Sequence, residues 1–226
     1  MRERCQKSSQ SKYMNSFPVR QTAHVRKLKW YGTGGIWDLG VELDCHLRWD
    51  QHINMLVKRI RRYLYPFLSL RNFMPLKLLK QVYYALTQSV LEYGIIAFGR
   101  ADQSTIQNLK VIQNLILKIL YKKKKRFSTK RLYEELDVLN IENLFKKNVC
   151  MYVHKNKHKL ISYSDHQYSL RNKNLIINKY KTCKGQKSIN FLGLKLYDSL
   201  PDELQNCNTN NKFKSLLKDW LKKKEK

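Results

Sequence analysis

Acid is scarce in this sequence relative to base. The 226-residue chain sets 17 Asp and Glu against 45 Lys and Arg, a formal net charge of +28 at pH 7. Such a surplus repels itself on folding. It makes sense when a polyanion neutralises it, and nucleic acid is the commonest such partner. An anionic membrane surface, bound peripherally, is the competing one. Cysteine is scarce too: Cys5, Cys45, Cys150, Cys183 and Cys207 are five, an odd number, and far apart. That excludes a disulfide framework and points to reduced thiols, hence an intracellular chain of nucleus or cytoplasm that is not secreted. No apolar run approaches a membrane span; the best, Gly94-Ile-Ile-Ala-Phe98, is strand-sized. Met1 to Val25 holds no apolar h-region, so no signal peptide is expected.

Several chemistries are missing with their motifs. There is no G-x-x-x-x-G-K-[ST], no G-x-G-x-x-G before a helix, and no G-x-S-x-G elbow. Two-metal nucleotidyl transfer needs clustered carboxylates. Asp38, Asp44 and Asp50 are the only near-regular acids of the N-terminal half, too far apart to share an ion. Asp44 reads as a turn residue and Asp50 as a helix cap.

What is present is a core. Hydrophobic residues make up 42 %, enough for one ordinary domain or two small ones. Residues 1–29 are polar and aperiodic and read as a disordered basic arm. Leu39, Val41 and Leu43 alternate as a half-buried strand would, and glycine at 34–35 suits a hairpin turn. From His52 to Arg71, Ile53, Leu56, Val57, Ile60, Leu64, Phe67 and Leu68 make a helical stripe, with Pro66 kinking or shortening its end. Lys58, Arg59, Arg61 and Arg62 occupy the other side without an acid to pair with. A second helix starts at Pro75, carries Leu79, Val82, Tyr83, Leu86 and Val90 inward, and ends at Gly94.

A third helix runs from about Ser104 to Tyr121 with Ile106, Leu109, Ile112, Ile116 and Leu120 inward and Gln113 and Asn114 at the sides. It ends in Lys122, Lys123, Lys124, Lys125 and Arg126, more positive charge than a helix C-terminus needs, which reads as a phosphate patch or a nuclear-import signal. Ser128 or Thr129 caps a short helix, and Asn140 caps another with Ile141, Leu144, Phe145, Val149 and Tyr152 inward. Residues 158–188 read as irregular, with a strand-like run at Leu175 to Ile177 and a turn at Gly185. A last helix follows Asn208 or Thr209 and packs through Phe213, Leu216, Leu217, Trp220 and Leu221. One metal arrangement stands out: Cys150, His154 and His158 fall at i, i+4 and i+8, along one helical face. Thiol and imidazole suit zinc, but three ligands over two turns do not converge tetrahedrally.

The segment Asp38-Leu-Gly-Val-Glu-Leu-Asp44, then Trp49-x-x-His52-Ile53, resembles the L-G-V-x-L-D…W-x-x-H-I stretch of reverse transcriptases from non-LTR (LINE-type, jockey-like) retrotransposons. Tyr83-Tyr-Ala-Leu86, Leu91-Glu-Tyr93-Gly94, Gln113-Asn114 with Ile119-Leu120, Leu196-Tyr-Asp-Ser-Leu-Pro201 and Phe213-Lys214 are similar to later motifs in the same order. The resemblance covers roughly Leu39 to Leu221. It implies that Leu39, Gly40 and Val41 are primer-grip residues, that Lys58, Arg59, Arg61 and Arg62 are thumb surface, and that the partner is an RNA or DNA duplex held by its backbone. The family's F/Y-A-D-D carboxylates are absent from this sequence. Residues 1–29 do not match the palm, and Gly32 to Gly35 interrupts the usual approach to the grip.

The expectation is therefore a mainly α chain: a small N-terminal β-hairpin with a thumb-like helical bundle over 30–126, then a basic, partly irregular helical region over 127–226. By resemblance it is the C-terminal part of an RNA-directed DNA polymerase, inactive alone and without a cofactor, since magnesium would belong to the missing palm. A decayed retroelement reading frame without selected function is the alternative to that holding role.

Overall fold

The computed structural model describes residues 29–31, 35–44, 46–124, 126–161 and 177–223, with only the backbone described over 29–38. The chain is mainly helical, as expected. The arm expected over 1–29 lies outside the described residues except for Lys29, as do Lys125 and the strand-like run at 175–176.

Strands β1 (Lys29–Tyr31), β2 (Gly35–Asp38) and β3 (Val41–Asp44) form an antiparallel meander in chain order. Asp38 pairs with Val41, so the β2–β3 turn is the two residues Leu39-Gly40. Both have positive φ, 48° and 79°, as a right-twisted hairpin of this length requires. This corrects the strand expected at Leu39. Alternation alone placed it there, but only its neighbour Gly40 adopts such a φ without steric cost. Leu39 is exposed.

Asp44 closes the next turn, its Oδ1 accepting from the Arg48 amide at 2.8 Å. The basic helix α1 (Asp50–Arg61) follows, with Ile53, Leu56, Val57 and Ile60 buried. Asp50 is its first residue, not its cap: the cap position is Trp49 at φ 70°, and the Asp50 carboxylate accepts from Thr105 Oγ1 at 2.6 Å. The single helix expected over 52–71 is two. It breaks at Arg62-Tyr63, and α2 (Leu64–Phe73) restarts with Pro66 in its first turn, where a missing N–H costs nothing. The break turns Leu68 outward, whereas Phe67 is fully buried.

Helix α3 (Leu76–Tyr83) runs into a π turn at Tyr84–Gln88 and then α4 (Ser89–Glu92). The wider turn rephases the inward face, so Leu79, Tyr83, Thr87 and Leu91 are buried at steps of four and the expected Leu86 is not. Gly94, at φ 69°, ends that helix, and the strand-sized run after it is a helical turn, α5 (Ile95–Phe98).

Helix α6 (Gln103–Leu120) is the centre of the N-terminal half, packing against both α1 and α2. It closes with the Lys122 amide bonded to Ile119 O and the Lys123 amide to Lys118 O, a Schellman pair with Lys122 at φ 51°. Helix α7 (Lys130–Leu136) ends the same way, with Asp137 in the left-handed position. Helix α8 (Ile141–Lys155) is capped by Asn140, whose side chain accepts from the Asn143 amide at 2.8 Å. It stops at Asn156, before α9 (Lys157–Leu160).

Three short helices, α10 (Cys183–Gln186), α11 (Leu194–Asp198) and α12 (Asp202–Gln205), lead to α13 (Asn210–Lys223). Gly185 thus lies in a helical turn, its amide bonded to Thr182 Oγ1 at 3.1 Å. Helix α13 packs on α8 through Phe213, Leu217 and Leu221, each worth roughly 1.5–3 kcal/mol on burial. Leu216 and Tyr152, expected inward, are exposed, at 39 % and 42 %. One apolar cluster joins both halves of the chain, from Ile53 to Leu221.

Candidate nucleic-acid interface

Helix α1 buries one face and leaves the opposite face as the wall of an open groove of 710 Å³. Gln51, Asn54, Met55, Lys58, Arg59 and Arg62 line it at alternating steps of three and one. Tyr63 closes the lower end and Glu42 of β3 the upper. Lys58, Arg59, Arg61 and Arg62 are all exposed, and among the described residues none of them makes an ion pair. Three of the four expected cations therefore share one concave surface. Arg61 is outside the groove lining. Glu42 supplies an acid at the groove's end that charge counting along α1 alone does not reveal.

Two contacts hold the hairpin against the helices. The Glu42 amide donates to Nδ1 of His52 at 3.3 Å. At the tip, the Tyr93 hydroxyl donates to the carbonyl of Leu39. Beside it, a Cβ on Gly94 would lie 3.2 Å from Val41 Cγ2, so the glycine lets β3 approach. Leu39, Gly40 and Val41 thus lean on Tyr93-Gly94. His52 is buried, its ring 5.2 Å from that of Phe98. Burial holds its pKa below the usual histidine value.

The Lys122 to Arg126 run leaves the far end of α6. Lys122, Lys123, Lys124 and Arg126 are exposed, and Lys123 Nζ stands 5.0 Å from the Phe127 ring centroid. Arg71 near the end of α2 donates from Nη1 to Ile119 O at 3.5 Å, so α2, ten residues and about 15 Å long, separates this run from the groove.

A polar network missed by sequence reasoning stiffens the scaffold. Gln113, expected at the side of α6, is fully buried. Its Nε2 donates to Tyr83 Oη and to Leu139 O, each at 3.0 Å, and its Oε1 accepts from Tyr133 Oη at 3.1 Å. Its position on the α6 stripe, between the buried Ile112 and Ile116, is a signal only in hindsight.

Cys150, His154 and His158, the trio weighed for zinc, do not converge. Cys150 is buried, and burial pushes its thiol up to about 12. His154 stacks on Phe213 with centroids 3.9 Å apart, and its Nδ1 lies 3.0 Å from the Tyr197 hydroxyl. Burial, then Lys157, lowers its pKa. His158 is exposed on α9, past the break at Asn156 that ends the shared face. Among the described residues, no three His, Cys, Asp or Glu side chains group as metal ligands would.

Compared with protein-family models, curated proteins and solved structures, the chain matches none.

Proposed function

We propose that this chain holds nucleic acid by its phosphate backbone, in the manner of a primer grip and thumb, and performs no polymerase chemistry itself. The observation that carries the reading is the groove on α1: Lys58, Arg59 and Arg62, without an ion pair among the described residues, on one concave wall, with the hairpin fixed at its upper end. Helix α1 is 12 residues, about 18 Å, close to the axial span of five nucleotides in one strand of a duplex. Backbone contacts of this kind position a duplex without reading its sequence. The reverse transcriptase resemblance supports the same role, because its separate motifs meet in the fold: Leu39 with Tyr93, Tyr83 with Gln113, and Tyr197 with Phe213.

The test is binding of a labelled primer–template duplex by fluorescence anisotropy. Replacing Lys58, Arg59 and Arg62 together by Gln is expected to flatten the log–log salt dependence by roughly 3, at about 0.9 per phosphate released. Binding unchanged by the triple replacement would remove the groove from the account. Among the described residues no helix is long and apolar enough to cross a membrane. Sedimentation with anionic liposomes that survives competing RNA would favour a peripheral membrane role instead.

A further inference from the structure

A second basic cleft lies at the N-terminal end of α1. Its 430 Å³ are bounded by three segments far apart in sequence: His46 to Trp49 ahead of α1, Ala97 to Asp102 ahead of α6, and Lys184 to Ser188 around α10. Four cations line it (Arg48, Arg100, Lys184 and Lys187) against one carboxylate, Asp102. That carboxylate is already engaged by Lys187 at 3.4 Å. Lys184 also ties the cleft together, its Nζ donating to His46 O at 3.2 Å.

Two groups at this cleft have no protein partner among the described residues. Arg100 is half-buried and, among the described residues, has no ion-pair or hydrogen-bond partner. A half-buried guanidinium is partly desolvated, and an anion beside it offsets that cost. The Ser188 hydroxyl is buried and has no hydrogen-bond partner either. Trp49 and Asp102 are the cap positions of α1 and α6, so the positive ends of two helix dipoles face this region as well.

We infer that this cleft is a phosphate-binding site, with Arg100 as the principal ligand, Lys184 and Arg48 as supporting charges, and Ser188 as a neutral donor. Guanidinium suits phosphate because its parallel N–H groups match two oxygens at once. The phosphate is either the terminal phosphomonoester of a nucleic-acid strand or free phosphate. The inference does not depend on the groove of α1, whose cations are a different set.

The experiment titrates the full chain with inorganic phosphate, then with a short single strand carrying a 5′-phosphate or a 5′-hydroxyl, at constant ionic strength. The readout is tryptophan fluorescence, with Trp49→Phe identifying the responding ring. Saturable binding of phosphate is expected, weakened at least tenfold by Arg100→Gln and severalfold by Lys184→Gln, an exposed side chain whose loss leaves the core intact. A 5′-phosphate preference that Arg100→Gln abolishes assigns the site to strand ends; equal strands with saturable phosphate assign it to the free ion. Lys77→Gln, an exposed side chain on α3 that lines neither the groove nor the cleft, should leave phosphate binding unchanged. Absence of saturable binding to the unmodified chain overturns the inference, as does equal affinity in Arg100→Gln and Lys184→Gln.

Discussion

The amide of Glu42 donates to Nδ1 of His52 across 3.3 Å, and this bond joins the hairpin to the basic helix. It requires a neutral imidazole with its proton on Nε2, because a protonated ring would turn a second N–H toward the first.

That requirement gives a pH dependence with a definite sign. Burial lowers the folded-state pKa of both His52 and His154. Below about 6.5 the unfolded chain binds protons that the folded chain refuses, so stability falls as pH drops from there toward the folded values. Above 6.5 the two contribute no slope. Thermal melts at pH 7.5 and 5.5 should show a lower midpoint in acid, and replacing both histidines by Gln should shrink the difference. A midpoint independent of pH across that window would contradict the buried, neutral assignment.

Lys147 is buried and its Nζ meets Glu92 Oε1 at 2.6 Å, pinning α4 to α8. Glu92→Gln leaves the ammonium buried without its counter-charge. The expected loss is about 2–3 kcal/mol, below the full cost of breaking a buried pair because Glu92 is partly exposed. Glu92→Gln with Lys147→Met should recover much of it. Urea unfolding of the two single variants and the double variant measures this, and additive losses would argue against the coupling.

Gln113 serves three partners while fully buried. Gln113→Ala strands the Tyr83 hydroxyl and the Leu139 carbonyl, at about 1–3 kcal/mol for each group left unpaired. A loss below about 1 kcal/mol in denaturant unfolding would mean that the network is not closed as described.

Much of this fold could be read from periodicity. The stripes of α1, α6 and α13 follow from apolar residues at helical spacing, and the buried sides match in Ile53, Leu109 and Phe213. The π turn at Tyr84–Gln88 could not be read, since one wider turn changes which residues face inward without changing composition. Gln113 was hidden because a buried amide looks like any polar flank until its partners are in place. In the groove, Lys58, Arg59 and Arg62 were visible as an unpaired cationic face, while Glu42 and Tyr63 come from neighbouring elements. The cleft at Arg100 draws on three distant segments, so no local window shows it.

A grip on a phosphate backbone, as proposed for this chain, leaves a signature in salt. The most direct measurement is the chain's affinity for duplex nucleic acid as a function of salt. If about six phosphates are neutralised, the slope of log affinity against log salt should be roughly −5 on duplex DNA, with little change between sequences. A slope near zero would contradict the account.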